Sequence, residues 1–227
     1  MTVVLAVVVG LVVGAPAGWF GARHAARVLA ERDDDTPIDP QPAWVAPVTA
    51  AVTAVVLAMV PLVVDGEWVL PAYLWFAALT MTLVVTDIQA RLIPDRINYP
   101  GTGVAAALLL VGGILDGGGG AIGRAAVGAA IYFGVTLALF VVGGGRSFGG
   151  GDVKLSVVLG LFTAYLGWDV LVAAIVLGFL VGGLAGLALL VSRLRSLRDH
   201  FAFGPPMVLG AYLAIAFGEE LVRWYLR

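Results

Sequence analysis

Residues 170–191 read VLVAAIVLGFLVGGLAGLALLV, a stretch without one charged side chain. A helix needs about 20 consecutive apolar residues to cross the hydrocarbon core of a bilayer, and this stretch is long enough. It has no polar face that water could solvate, so it does not fit the surface of a soluble protein. The stretch therefore predicts a transmembrane helix.

The rest of the chain has the same character. Of its 227 residues, 61% are hydrophobic and 12% are charged, and the mean hydropathy is +1.02. A soluble domain carries roughly a quarter charged residues, so the lipid bilayer is the expected surrounding of most of this protein. The net charge of -2 indicates no nucleic-acid partner. The absence of cysteine excludes disulfides, thiolate nucleophiles and cysteine-bound zinc.

Eight apolar runs along the chain are candidate spans. They cover residues 3–20, 44–64, 69–86, 102–115, 122–143, 153–167, 170–191 and 205–218. The fourth and sixth runs are short, and a re-entrant course for them would lower the count to six or seven. We expect an all-α bundle of about eight transmembrane helices that forms a single integral membrane domain over residues 1–227, with a polar cytoplasmic loop at 29–43.

Lysine and arginine residues fall mainly in alternate loops between these runs. Ten of the thirteen lie in or beside the loops 21–42, 87–101, 144–152 and 192–204, and three lie elsewhere. Because cytoplasmic loops carry the excess of positive charge, these four loops are expected in the cytoplasm and the amino terminus outside. No basic segment precedes the first run, which favours a retained helix over a cleaved signal peptide.

Two acids stand at predicted membrane boundaries. Asp87 directly ends a long apolar run, and Asp152 follows three glycines at the start of another. Each has a simple structural explanation, since a boundary acid can reach water and an aspartate after a turn is a common N-cap. The pair of acids also has a chemical explanation. Two carboxylates brought together share one proton, so that one activates water while the other protonates the scissile carbonyl or the leaving group.

The sequence around these acids resembles a known family. The segment 149–155, Gly-Gly-Gly-Asp-Val-Lys-Leu, looks like the GxGD element of the bacterial type IV prepilin peptidases. Asp87 followed by Ile93-Pro94-Asp95 is similar to the first-aspartate element of that family, and Phe203-Gly204-Pro205 followed by Gly210 is similar to its FGP element. A lone GxGD would be weak in a chain so rich in glycine. Three elements in the family's order are specific.

The resemblance implies an aspartic-type endopeptidase of the inner or cytoplasmic membrane, multi-pass, with its active site facing the cytoplasm. Its substrates would be pilin-like precursors of a type IV pilus or a protein secretion system, which lose a short basic leader. The resemblance carries the catalytic role to Asp87 and Asp152, and it implies no cofactor. The residues that support the motifs are Gly149, Gly151, Lys154, Pro94, Asp95, Gly204 and Pro205.

The chain also departs from many members of that family. Those members methylate the new amino terminus as well, and they carry paired zinc-binding cysteines and a glycine-serine-phenylalanine-leucine-asparagine stretch. This chain has no cysteine and has Gly-Ala-Pro-Ala-Gly at residues 14–18 where that stretch would fall. N-methyltransferase activity is therefore doubtful, and a form without the methyltransferase domain is expected.

Other residues receive structural interpretations. Asp95 follows a proline, which fits a turn or the first residues of a new helix. Lys154 is expected to contact lipid headgroups. His24 and His200 fall in separate predicted loops, so no metal site is expected. Glycines recur at every fourth position in two of the spans, which is typical of close helix packing in membranes. These glycines are Gly10, Gly14, Gly18, Gly178, Gly182 and Gly186.

The sequence leaves other functions open. In a small ion- or proton-coupled membrane transporter, the two acids would bind a cation or relay protons. A presenilin-like protease also uses a GxGD aspartate, but Thr86 stands where that group has tyrosine, and no Pro-Ala-Leu follows. A catalytically silent assembly subunit is the third alternative. In that case neither aspartate would matter for precursor processing.

The alternating charge of the loops makes a topology prediction. Reporter domains fused at Gly150 and at Gly118 are expected on opposite sides of the membrane, with Gly150 in the cytoplasm, because arginine-rich loops stay inside. Paired reporters that are active on only one side of the membrane measure this directly. Equal signals from the two fusions would rule out the eight-span arrangement.

Overall fold

We describe residues 8, 10–31, 41–64, 66–143, 149–191 and 202–225 of a computed structural model. Every regular element in these ranges is helical, which confirms the all-α prediction. Five helices are long and apolar enough to cross a membrane, so the polytopic class is confirmed as well. The number of spans and the side of the amino terminus stay predictions.

The helices follow one another along the chain with short connections. A π-helical turn, Gly10–Gly14, leads into α1 (Ala15–Ala30), which is followed by α2 (Val45–Val63), α3 (Leu70–Ala90), α4 (Asp95–Leu115), α5 (Gly119–Val142), α6 (Gly150–Leu166), α7 (Trp168–Val191) and α8 (Gly204–Tyr225). The five helices that meet the length and hydropathy of a span are α2, α3, α4, α5 and α7.

The sequence predicts that the first loop begins at residue 21, which is earlier than it begins in the structure. Helix α1 continues to Ala30, so His24 lies within a helix and its assignment to a loop is wrong. The helix continues because Ala22, Ala25 and Leu29 are spaced by three and four residues and bury one common face. Most of the predicted polar loop at 29–43 lies outside the described residues, as do Arg146 and His200.

The fourth span is longer than its apolar run suggested. Helix α4 begins at Asp95, seven residues before the predicted start, and Pro94 precedes it with extended backbone angles. The polar residues of its first two turns hid this start from a search for apolar runs. Asp95 is thus the first residue of a new helix, one of the two alternatives expected for it. The sixth helix, α6, has 17 residues and is short, as predicted.

Contacts divide the chain into two compact units, Met1–Gly118 and Gly119–Arg227. In the first unit, α3 contacts α1, α2 and α4, and about two thirds of its apolar window is buried. In the second unit, α6 contacts α5, α7 and α8. Each unit is therefore organised around one central helix. The assignment of residues 1–227 to one domain stays a prediction.

Glycines allow the helices within each unit to approach at backbone distance. A Cβ on Gly14 would lie 2.7 Å from Ala54 Cα, and one on Gly160 would lie 2.6 Å from the carbonyl oxygen of Gly128. The glycines 10, 14 and 18 pack α1 and its preceding turn against α2, as expected for that spacing. On α7, Gly178 and Gly182 meet α8 and the residue before it, whereas a Cβ on Gly186 would meet open space.

A carboxylate caps the start of the central helix of the first unit. The Asp116 side chain, just after α4, accepts the backbone N–H of Val69 at 2.9 Å and that of Trp68 at 3.3 Å. Val69 is the N-cap residue of α3, and Trp68 directly precedes it, so neither N–H has a partner within the helix. Asp116 therefore fixes the end of α3 that lies opposite to Asp87.

Candidate active site

Asp87 lies one turn before the carboxyl end of α3, the central helix of the first unit. It is 4% exposed, although aspartate is almost never buried without compensation. Its neighbours Thr86 and Val85 are buried too, and the Thr86 hydroxyl donates to the carbonyl of Leu83 at 2.8 Å. The acid is thus enclosed by protein on the helix that the other three helices of its unit contact.

The chain turns sharply after Asp87. The Arg91 N–H donates to the carbonyl of Asp87 at 2.8 Å, and Arg91 itself has a left-handed backbone with φ of 50°. Residues 92–94 then run to the start of α4, where Pro94 is buried and Asp95 is exposed. The two acids of this motif, Asp87 and Asp95, therefore differ in their access to solvent.

Asp152 lies in the first turn of α6, the central helix of the second unit, and is 5% exposed. The N-cap of α6 is Gly149, so the interpretation of Asp152 as the N-cap is wrong by three positions. From its position in the first turn, the carboxylate reaches back and accepts the N–H of Gly149 at 3.0 Å. The charge also faces the positive end of the helix dipole, which stabilises it.

The glycines before Asp152 leave its surroundings open to the outside. Gly149 and Gly150 are exposed, and a Cβ on Gly149 would lie 3.1 Å from the carboxylate oxygen of Asp152. Gly151 and Lys154 are half-buried in the same turn and the next. Small residues here let another backbone approach the carboxylate, a property that a peptide-cleaving site requires.

Polar side chains continue along α6 beneath Asp152. Ser156, one turn further, is fully buried and hydrogen-bonds Thr136 of α5 at 2.9 Å. Tyr132 lies one turn from Thr136, is completely buried, and its hydroxyl has no hydrogen-bond partner among the described residues. This polar seam was not predictable from sequence, because single serine, threonine and tyrosine residues in spans are common packing residues.

An arginine anchors the opposite end of α6. Arg124 of α5 donates from Nε to the carbonyl of Ala164 at 2.6 Å and from Nη2 to the carbonyls of Tyr165 and Leu166. These carbonyls belong to the last turn of α6, where they lack partners within the helix. In the sequence, Arg124 is only one of the three basic residues that lie outside the four predicted cytoplasmic loops. Its role requires knowledge of which helix end lies beside it.

The third motif forms the start of α8. Gly204 is the first residue of this helix and is buried, and Pro205 follows in the first turn, where proline is well tolerated. The ring of Phe203 packs against Phe179 of α7 with 5.6 Å between ring centroids. A Cβ on Gly210 would lie 2.5 Å from Gly178 Cα. The motif therefore holds α8 tightly against α7.

No group of three or more histidine, aspartate or glutamate side chains that could hold a metal occurs in the described ranges. Asp87 belongs to the first unit and Asp152 to the second. Within its own unit, each is a carboxylate buried near one end of the central helix. The fold and these two positions define a polytopic helical membrane protein with acidic candidate site residues.

The family of the chain follows from its similarity to known proteins. Residues 72–187 match the type IV leader peptidase family, and this match covers just over half of the chain and both candidate aspartates. The chain belongs to that family, which confirms the family expected from the motifs.

Relatives of known name agree with this assignment. Two of them are named prepilin leader peptidase/N-methyltransferase. The protein of Aeromonas salmonicida (strain A449) is 28% identical to the chain, and the match covers 79% of the chain and 60% of the relative. The protein of Bacillus subtilis (strain 168) is 32% identical, and the match covers 67% of the chain and 58% of the relative. The chain thus spans about three fifths of the length of these curated relatives. No solved structure matches it.

The contacts of Arg124 make a stability prediction. Arg124→Met keeps a long apolar stem but removes the donors to three helix-end carbonyls, and hydrogen bonds from charged groups contribute about 1.5–3 kcal/mol each. We expect a clear fall in the thermal unfolding midpoint of the detergent-solubilised protein.

Arg96→Met is the matched control for that measurement. Arg96 pairs with Glu31 at 3.8 Å, and both side chains are more than two thirds exposed. Exposed pairs of this kind contribute about 0–1 kcal/mol, so its midpoint should stay near that of the unmodified protein. Equal shifts for the two variants would contradict the capping role of Arg124.

Proposed function

We propose that this protein is an aspartic-type prepilin leader peptidase in which Asp87 and Asp152 form the catalytic pair. The observation that carries the proposal is the burial of these two acids, each on the central helix of its unit. Burying a carboxylate in an apolar setting costs several kcal/mol unless specific contacts offset it. Acids kept at such positions in membrane proteins mark functional sites.

The order of the helices supports a common membrane face for the two acids. α3 ends shortly after Asp87, and α6 begins shortly before Asp152. Between them lie α4 and α5, both long and apolar enough to span a bilayer. Two successive crossings return the chain to the face at which α3 ended. Arg91 and Arg96 follow Asp87 at that face, and positive loops favour the cytoplasm.

The chemistry follows from two carboxylates that share a single proton. The ionised member takes a proton from a water molecule, which attacks the carbonyl carbon of the scissile peptide bond. The protonated member donates its proton to the carbonyl oxygen, which gives a tetrahedral intermediate with two hydroxyl groups. The proton taken from water then passes to the departing nitrogen, and a hydroxyl of the collapsing intermediate gives its proton back to the other carboxylate. No metal or covalent enzyme intermediate is needed. The reaction hydrolyses one peptide bond and returns the shared proton to the pair.

The substrates in this proposal are pilin-like precursors, cleaved at the cytoplasmic face of the inner or cytoplasmic membrane. The names of the relatives, which are prepilin leader peptidases, support this substrate class. The burial difference within the first motif supports Asp87 over Asp95 as the catalytic acid, because Asp95 is exposed and begins a helix. The same family assignment disfavours the transporter alternative.

Removal of either carboxylate is expected to stop cleavage. Asp87→Asn and Asp152→Asn should each lower the rate of precursor cleavage by at least about a hundredfold, because each removes the acid–base machinery as a whole. The double variant should be no slower than either single variant, since residues that act as a unit are not additive. Cleavage of a purified precursor in detergent or vesicles measures all three.

Two controls separate catalysis from folding in this experiment. Asp152→Asn keeps a side-chain oxygen that can accept the N–H of Gly149, so its unfolding midpoint should match that of the unmodified protein. Asp95→Asn removes an exposed acid from the same motif and should retain most of the activity. A well-folded Asp87→Asn or Asp152→Asn variant with normal cleavage would refute the aspartic mechanism.

The missing cysteines and asparagine-bearing stretch make a second functional prediction. Purified protein should cleave a precursor without transferring a methyl group to the new amino terminus. Intact-mass spectrometry of the product, with and without S-adenosylmethionine, distinguishes the two activities. A product that is heavier by one methyl group, made by this chain alone, would show that the peptidase-only proposal is wrong.

A further inference from the structure

Helix α6 lies against α5 along one row of its residues. From the carboxyl end of α6 toward its start, contacts with α5 fall at every fourth position: Ala164, Gly160 and Ser156. Residues four apart are neighbours on the surface of a helix, about one turn from each other. The next residue of this row is Asp152. The buried acid therefore lies one turn beyond the last of these three contacts.

The residues on the other side of Asp152 hold it less firmly. Gly149 and Gly150 are exposed, and a Cβ on Gly150 would meet open space among the described residues. On α5, Thr136 is the last buried residue, and residues 137–142 are exposed or half-buried. The contacts between α5 and α6 that lie nearest to the start of α6 are therefore those at the level of Thr136.

The contact one turn after Asp152 is a hydrogen bond between the two helices. The hydroxyl oxygen of Thr136 on α5 lies 2.9 Å from that of Ser156 on α6, and both side chains are fully buried. A hydrogen bond depends on distance and angle, whereas apolar contacts are not directional. The bond therefore fixes the first turns of α6 on α5 more narrowly than the buried side chains of Val153 and Leu155 do.

Each of these two hydroxyls also has an acceptor on its own helix. Ser156 donates to the carbonyl of Val153 at 2.7 Å, and the Thr136 hydroxyl lies 3.0 Å from the carbonyl oxygen of Tyr132. Loss of one hydroxyl would leave the other paired, so neither substitution would strand a buried donor. The bond between the helices is thus not needed to satisfy a polar group. Its effect is to link α5 to α6 beside Asp152.

We propose that Thr136 is a positioning residue for Asp152 and acts through its hydrogen bond to Ser156. The inference rests on the proposed peptidase function, in which two carboxylates share a proton and act on one water molecule. Such groups must be held within about 0.5 Å of their working geometry. A displacement of about 1 Å can lower the rate about a hundredfold. A small shift of the first turns of α6 on α5 is therefore enough to slow cleavage.

Two substitutions at Thr136 separate its hydrogen bond from its packing. Thr136→Val keeps the size of the side chain and removes the hydroxyl, whereas Thr136→Ser keeps the hydroxyl and removes a methyl group. We expect Thr136→Val to lower kcat for precursor cleavage about tenfold with KM nearly unchanged, because the precursor still binds but the carboxylate is misplaced. Thr136→Ser should keep kcat within about twofold of the unmodified protein, although the lost methyl group lowers its unfolding midpoint.

Ser156→Ala removes the other half of the same bond. It should lower kcat about as much as Thr136→Val does, and the double variant should be no slower than either single variant. Thr163→Val is the matched control, because Thr163 is a fully buried threonine of α6 whose hydroxyl donates to the carbonyl of Leu159 in the same helix at 2.7 Å. This control should leave kcat and KM near those of the unmodified protein.

Hydrogen exchange tests the positioning without any cleavage. In Thr136→Val, the backbone amides of residues 149–155 should exchange about fivefold or more faster than in the unmodified protein, because the first turns of α6 are held less firmly. The amides of residues 160–166 should keep their rates, since Gly128 and Arg124 still hold that end of α6. Mass spectrometry of peptides from the two segments measures both rates.

These measurements distinguish a failure of this inference from a failure of the proposed function. An unmodified protein that cleaves no precursor contradicts the peptidase function, and the exchange rates still decide whether Thr136 holds the start of α6. An unchanged kcat in Thr136→Val, or an equal loss of kcat in Thr136→Val and Thr136→Ser, would overturn the positioning role. Unchanged exchange at 149–155 in Thr136→Val, or an equal rise at 160–166, would overturn it as well.

Discussion

The structure depends on the burial of a carboxylate near one end of a central helix, once in each unit. Burying an isolated charge in an apolar setting costs far more free energy than a typical contact recovers, so the groups around the carboxylate must stabilise it. For Asp152 that surrounding includes the Gly149 N–H and the positive end of the α6 dipole. For Asp87 it is a turn closed by Arg91 and a helix enclosed by three others. Both arrangements require the central helix to be held firmly by its neighbours.

The far ends of the two central helices show how this is achieved. Asp116 caps the first turn of α3 with a carboxylate, and Arg124 caps the last turn of α6 with a guanidinium. Each charge has the sign that stabilises its helix end: negative at an amino terminus and positive at a carboxyl terminus. The opposite end of each helix, which carries the buried acid, is thus free to keep exposed glycines or a sharp turn.

Sequence patterns predicted the parts of the fold that depend on composition over a long window. Hydropathy alone indicates the helical class and most spans, because a membrane helix must be apolar over its whole length. It missed the last turns of α1 and the first turns of α4, where only one face is buried and Arg23 or Arg96 occupies other positions. The candidate site residues were predicted from their motifs. The contacts of Arg124 were not, since they depend on which helix end lies beside it.

Packing by glycine explains how acids and apolar walls coexist within so small a chain. Where α5 meets α6 and α7 meets α8, backbone atoms are in direct contact at Gly160 and Gly210, which removes the space that side chains would otherwise fill. Dispersion and backbone proximity then stabilise the helix pairs, because lipid provides no hydrophobic force between them. At the α2–α3 pair the lining is valine, methionine and tryptophan instead, and the two helices leave a groove. The choice between glycine and larger side chains therefore decides which of the described helix pairs close completely and which leave a groove.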